Sequence, residues 1–146
     1  MKSINCGKNL FCGYVEKKYK IIFPKEIAGH YLTFNGGKPT RNVFIETDGY
    51  EYIVNYFIPI KWRNEKGKGN LETTLDLLRV DPVLPEWLIP FAYDPGGDMF
   101  CFSTKEEDIG SIYYWSHEYD YEEDPEEHIL CLADSLKTFI NSMLED

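Results

Sequence analysis

The sequence predicts an α+β domain in which a central, mostly antiparallel sheet is bordered by helices. Two patterns carry that expectation. Apolar residues recur at helical spacing near both ends of the chain, and between them lie short β-rich runs separated by Gly, Pro and Asp turns. With 146 residues and no internal repeat or low-complexity linker, residues 1–146 read as a single domain. A chain of this length buries roughly 68–70% of its unfolded surface, enough for a core without disulfides or metals. The aromatic content of 16% argues against disorder and against a coiled coil.

Taken in order, a weak helical signal spans residues 10–19, and a firmer one spans 24–35. There Pro24 suits the first turn, Ile27, Ala28, Tyr31 and Leu32 share a face, and Asn35-Gly36-Gly37 supplies left-handed stop residues. The period then changes. Residues 42–47 and 50–60 are β-rich, and only Asp48-Gly49 separates them, the signature of a hairpin closed by a type I′ turn. Residues 62–69 form a basic, Gly-containing loop, after which Asn70 caps a helix to about Arg79 with Leu71, Leu75 and Leu78 inward. The second half reads as a meander with strands at 88–93, 99–103, 111–116 and 128–133. A final helix begins near Asp134, where Leu136, Phe139, Ile140, Met143 and Leu144 form an amphipathic stripe.

The charge is unevenly placed. Residues 1–80 hold 13 basic and 8 acidic side chains, a balance of +5, and residues 81–146 hold 2 basic and 17 acidic, a balance of −15; together they make the net −10. An acidic half of this kind repels phosphates, so nucleic acid is not an expected partner. It attracts a basic protein and steers its approach. Acidic surfaces also serve solubility alone, which is the plainer reading of net charge. No apolar run reaches the roughly 20 residues of a membrane helix, and the N-terminus has no signal-peptide core. The expectation is a soluble, cytoplasmic protein without a membrane partner.

Chemistry is hard to find. None of the cysteines (Cys6, Cys12, Cys101, Cys131) forms a C-x-x-C pair, and His30, His117 and His128 lack ligand spacing, so no metal is expected. Cys101 and Cys131 lie in apolar runs and read as buried, reduced thiols. A bridge between Cys6 and Cys12 is not expected in a cytoplasmic chain. Gly36-Gly37 follows a helix and Gly96-Gly97 joins two strands, so neither fits a phosphate loop. Asp94 and Asp98 flank the second pair; two carboxylates are too few for a cation, and turns favour Asp for local hydrogen bonding. His117-Glu118 is the best acid–base pair. Ser111, Ser116 and Ser135 sit in no nucleophile motif, and Ser135 reads as a helix start. The expectation is no enzyme, no cofactor and no small-molecule substrate.

The strongest local feature is EYDYEEDPEE, residues 118–127, with seven carboxylates: Glu118, Asp120, Glu122, Glu123, Asp124, Glu126 and Glu127. Such a run is self-repulsive and contributes nothing to folding. Its plainer reading is a solvated loop. Tyr119 and Tyr121 interleave the acids and offer rigid contact area, as interface patches do. With His117 and the neighbouring Glu106, Glu107 and Asp108, this run is the candidate partner-binding surface. Tyr119, Tyr121, Trp62 or Trp87 are the candidate anchors, whereas Tyr113 and Trp115, on one strand face, are core residues.

Several blocks resemble a known family. Phe34-Asn35-Gly36-Gly37-Lys38-Pro39 after a short helix comes first, then Ile89-Pro90-Phe91-Ala92 running into Asp94-Pro95-Gly96-Gly97-Asp98. Ile112-Tyr113-Tyr114-Trp115 before His117 and the closing Leu132-Ala133-Asp134-Ser135-Leu136 complete the set. In this order, across roughly residues 20–144, they resemble the SUKH superfamily, which includes the yeast Smi/Knr cell-wall-assembly regulators and many bacterial immunity proteins. The resemblance implies an α+β domain and no enzyme activity. It makes Asn35, Gly36, Gly37, Pro90, Asp94, Gly96, Gly97, Asp98 and Trp115 fold determinants. For a compact single-domain member it implies an immunity role, in which the protein binds and blocks a cognate toxin, often a nuclease. The alternative is a regulatory interaction module of the cell-wall-assembly type with no toxin. Partner contacts vary within the family, so the acidic surface is read from this chain alone. Oligomeric state and the role of residues 1–20 stay open.

Overall fold

The computed structural model describes residues 10–61, 69–80, 84–116 and 129–145. Two helices come first, α1 (Leu10–Tyr19) and α2 (Lys25–Thr33), followed by strands β1 (Arg41–Ile45), β2 (Glu51–Ile53) and β3 (Tyr56–Phe57). Helix α3 (Leu71–Val80) precedes β4 (Leu88–Tyr93), β5 (Met99–Ser103), β6 (Ile112–Trp115) and β7 (Ile129–Ala133), and the chain closes with α4 (Leu136–Asn141) and β8 (Leu144–Glu145). This is the predicted α+β class, with one refinement: the strands form two antiparallel sheets, β3-β4-β5-β6-β7 and β2-β1-β8.

The division falls inside the run read as one strand over 50–60. Val54 N–H donates to Asn42 O at 2.8 Å, and Asn55 N–H donates to Tyr93 O at 2.7 Å. Two consecutive residues therefore bond to different sheets, and the chain crosses between them there. The Asp48-Gly49 turn also differs from the expected type I′. Only Gly49 has positive φ (90°), Gly49 N–H donates to Glu46 O at 2.8 Å, and Glu46 N–H to Tyr50 O at 2.9 Å. That is a longer loop with a left-handed glycine after a type I turn. The 94–98 turn repeats the device, with Gly97 N–H to Asp94 O at 3.2 Å and Asp94 N–H to Asp98 O at 2.9 Å.

Helix ends follow their caps. Asn70 and Thr73 cap α3 reciprocally: Thr73 N–H donates to Asn70 Oδ1 at 3.0 Å and Asn70 N–H to Thr73 Oγ1 at 3.1 Å. Leu71 and Leu75 are buried, and Leu78 is half-buried. In α2, Ile27, Ala28 and Tyr31 are buried as expected, but Leu32 is 49% exposed. Ser135 Oγ accepts from Thr138 N–H at 3.1 Å, the predicted helix start. The last helix is shorter than its stripe. Ser142 Oγ donates to Thr138 O at 2.8 Å, a local bond that competes with helix continuation. Leu144, 53% exposed, pairs instead with Val43 of β1.

Strand β5 is buried along its whole length because both of its faces are covered. Phe100 and Phe102 join the main core with Phe91, Ile112, Phe139 and the inward residues of α1 and α2. Met99 and Cys101 face the opposite side, packing with Leu84, Leu88 and Trp115. Trp115, 6% exposed, is thus a core residue, with Tyr113 partly buried against the same cluster. Pro90 lies in an interior strand, where it cannot donate to the ladder. The register shifts between Pro90 and Ala92, so a bulge accommodates it. Cys101 is buried, and burial pushes its thiol pKa up. Cys131 is exposed, contrary to expectation, because β7 is the edge strand of its sheet.

Candidate interaction surface

The described acidic turns of the second half, Asp94–Asp98 and Glu106–Asp108, fall at two ends of the large sheet. Trp115 of β6 pairs with Ile129 of β7, so the chain between these strands leaves from the end where Tyr93 pairs with Met99. His117, Glu118, Tyr119, Asp120, Tyr121, Glu122, Glu123, Asp124, Glu126 and Glu127, like Trp62 and Cys6, lie outside the described residues. The Asp94–Asp98 turn closes β4 and β5 at this same end. Glu106, Glu107 and Asp108 belong to the connection from β5 to β6, at the opposite end of β6 and about 10 Å along the strand.

At the first end, both Asp94 and Asp98 are held by one phenol. Tyr114 Oη lies 2.7 Å from Asp94 Oδ2 and 2.6 Å from Asp98 Oδ2. Asp94 Oδ1 also accepts from the N–H groups of Gly96, at 2.9 Å, and Asp98, at 2.8 Å. This is the turn chemistry expected of Asp at such a position. Burial first, and then the two hydrogen bonds, raise the Tyr114 pKa far above the ordinary phenol value. The hydroxyl therefore stays protonated and keeps two carboxylates together. The sequence shows Tyr113-Tyr114 in one strand and the Asp94–Asp98 turn earlier in the chain, but not that Tyr114 reaches back across the sheet to hold that turn.

At the other end the three acids differ. Glu106 and Glu107 are exposed and available to a partner. Asp108 is half-buried and occupied: Oδ1 accepts from Ser103 Oγ at 2.6 Å, and Oδ2 accepts from the Tyr113 hydroxyl. Burial, then the Asp108 bond, raises the Tyr113 pKa. The turn is also anchored to the candidate Trp87. Thr104 N–H and Oγ1–H both donate to Trp87 O, at 2.8 and 2.9 Å, and Lys105 Nζ lies 3.8 Å from the centre of the indole ring. Trp87 is half-buried, edge-on to Tyr113 at 5.3 Å between centroids.

The motif at residues 34–39 explains its own residue types. Asn35 reads the backbone of Ile60 with both ends of its amide: Oδ1 accepts from Ile60 N–H at 2.8 Å, and Nδ2 donates to Ile60 O at 2.9 Å. Gly36 has φ +95°, and a Cβ there would meet Pro59 Cβ at 2.8 Å. Gly37 O accepts from Phe57 N–H at 2.8 Å, joining the loop to β3. Gly96, by contrast, needs no positive φ, and a Cβ there would lie 3.6 Å from Asp94 Oδ1 in ordinary contact.

These motif residues lie within one match. The model of the SMI1 / KNR4 family (SUKH-1) matches residues 14–142. The chain belongs to the SMI1/KNR4 (SUKH-1) family. No curated protein matches it. Members of SUKH-1 are in general non-catalytic immunity or regulatory domains. The SUKH-1 match covers every described helix and strand except the start of α1 and the last strand, β8. Among the described residues, no group of three or more His, Cys, Asp or Glu side chains is placed to hold a metal ion, and no helix is long and apolar enough to cross a membrane.

Proposed function

We propose that this SUKH-1 protein is a non-enzymatic immunity protein, which binds a cognate bacterial toxin with a basic surface and blocks it in the cytoplasm. The observation that carries the reading is the placement of charge. A balance of −15 sits in residues 81–146, and seven of those acids fall within residues 118–127. A nuclease holds phosphates in a basic groove, so a nuclease toxin presents the complementary field. Opposite fields accelerate capture toward about 10⁸–10⁹ M⁻¹s⁻¹ at low salt, which suits an inhibitor that must act before damage is done. Glu106 and Glu107, exposed beyond the far end of β6, add a second acidic patch. Affinity needs a desolvated centre, for which Tyr119 and Tyr121 are the aromatic candidates.

The test is protection of cells expressing the toxin encoded beside this gene. The parent protein should protect, and a Glu122→Lys, Glu123→Lys, Glu126→Lys, Glu127→Lys variant should not. Equal protection by both moves the contact surface elsewhere on the protein. Failure of the parent to bind or protect, with no toxin gene adjacent, favours the regulatory role that the same family also contains.

A further inference from the structure

A cavity of about 410 Å³ opens beside the 36–40 loop, between the end of α2, the start of β1, β3 and α4. Phe34, Phe57 and Ile140 supply apolar wall, while Lys38 and Arg41 supply two cations. Acidic residues outnumber basic ones 25 to 15 in the whole chain, yet no carboxylate is among the described lining residues. Both cations are exposed, and neither side chain has an ion-pair or hydrogen-bond partner among the described residues. His30 also lines the cavity, its ring 4.6 Å from that of Phe57. Its Nε2 is shielded from solvent and has no hydrogen-bond partner among the described residues.

We propose that this cavity is a binding site for a small organic anion, with an apolar body seated against Phe57 and Ile140 and a carboxylate at Lys38 and Arg41. The volume lies within the range of small-molecule sites, and an apolar lining with a few placed polar groups is their usual chemistry. Arg41 offers a planar fork to a carboxylate, and Lys38 adds a point charge. Burial holds the His30 pKa down at about 4, so at neutral pH the ring is uncharged and the cavity's positive charge belongs to the two rim residues. The loop presenting Lys38 is held by the Asn35–Ile60 pair and the Gly37–Phe57 bond, so the site is formed before a ligand arrives. Among the described residues of the proposed toxin contact, Glu106, Glu107 and Asp108, none lines this cavity.

The test is titration of the full-length ¹⁵N-labelled protein with 3-phenylpropionate, followed by amide chemical shifts. Shifts should concentrate at residues 30–41, 57 and 140–143, with saturation in the millimolar range or below. The uncharged 3-phenylpropanol and the bodiless acetate should each bind at least tenfold more weakly. A Lys38→Gln, Arg41→Gln variant, changed only at exposed positions, should lose the preference for the acid over the alcohol. No saturable shift, shifts centred elsewhere, or equal affinity for acid and alcohol would overturn the proposal. So would binding of the peptide Ala-Ala-Phe by its C-terminus without any response to the free acid, because the occupant would then be a polypeptide end.

Discussion

Replacing Gly36 by alanine tests whether the 34–39 motif exists for backbone geometry. Two costs add at this position. At φ +95° an L side chain is strained by about 1–2 kcal/mol. The new methyl would stand 2.8 Å from Pro59 Cβ, well inside normal contact. Pro59 has little room to move, because its neighbours are pinned: Ile58 N–H donates to Phe91 O at 2.8 Å, Ile60 N–H to Asn35 Oδ1 at 2.8 Å, and Pro59 O accepts from Leu71 N–H at 2.8 Å. Overpacking of that kind costs a further ~1–3 kcal/mol. The sum is about 2–5 kcal/mol, a fall in Tm of about 5–15 °C for a domain of this size. Gly37→Ala, with φ +100° but open space around the site, should incur only the conformational part. Gly96→Ala should stay within about 0.5 kcal/mol of the parent. Urea unfolding of the three variants gives the order directly. If Gly36→Ala lies within 0.5 kcal/mol of the parent, or if Gly96→Ala is the more damaging, the geometric account of the motif is wrong.

Asn35→Ala should cost about 2–4 kcal/mol in urea unfolding, since it strands both the N–H and the C=O of the fully buried Ile60. Asn35→Asp, which keeps the acceptor but not the donor, should fall between the two. His30 carries a pH signature. Its pKa is about 4 in the folded protein against 6.5 for the ordinary side chain, so between these values the unfolded chain binds the extra proton. Its contribution is intact above pH 6.5 and is lost as pH falls toward 4, so His30→Leu should remove about 2–3 kcal/mol of the decline between pH 7 and pH 4.5. Tyr114→Phe should lower stability by about 1–3 kcal/mol, because Asp94 and Asp98 then face each other without their shared donor; denaturant midpoints of the single variants check it.

What the sequence made legible was the local structure. The Asn70 and Ser135 caps and the strands of the second half follow from periodicity and capping chemistry that neighbouring residues carry themselves. What it hid was non-local. Residues 50–60 are continuously β-rich, and only the alternative partners of Val54 and Asn55 divide them between two sheets. The apolar stripe of the last helix continues past residue 141 in sequence, but pairing with β1 claims Leu144 for a strand. Cys131 sits in a run as apolar as that of Cys101, and its exposure follows from strand order, which composition does not encode. The candidate surface was similarly half legible. Its charge is plain in the sequence, but the occupation of Asp108 by Ser103 and Tyr113 depends on how β5 and β6 pair. The cavity at His30, Lys38 and Arg41 assembles residues from separate elements, and the nearest sequence signal was the Gly-Gly-Lys-Pro block at its rim.

The central claim is that the acidic half of the chain captures a basic toxin. Its most direct test is the association rate with the toxin domain encoded beside the gene, measured by stopped flow over a range of salt. The parent's rate should fall steeply with ionic strength, since screening shortens the reach of the field. The Glu122→Lys, Glu123→Lys, Glu126→Lys, Glu127→Lys variant should associate at least about tenfold more slowly at low salt, with the two rates converging as salt rises. Equal rates at low salt, or a parent rate insensitive to salt, would contradict it.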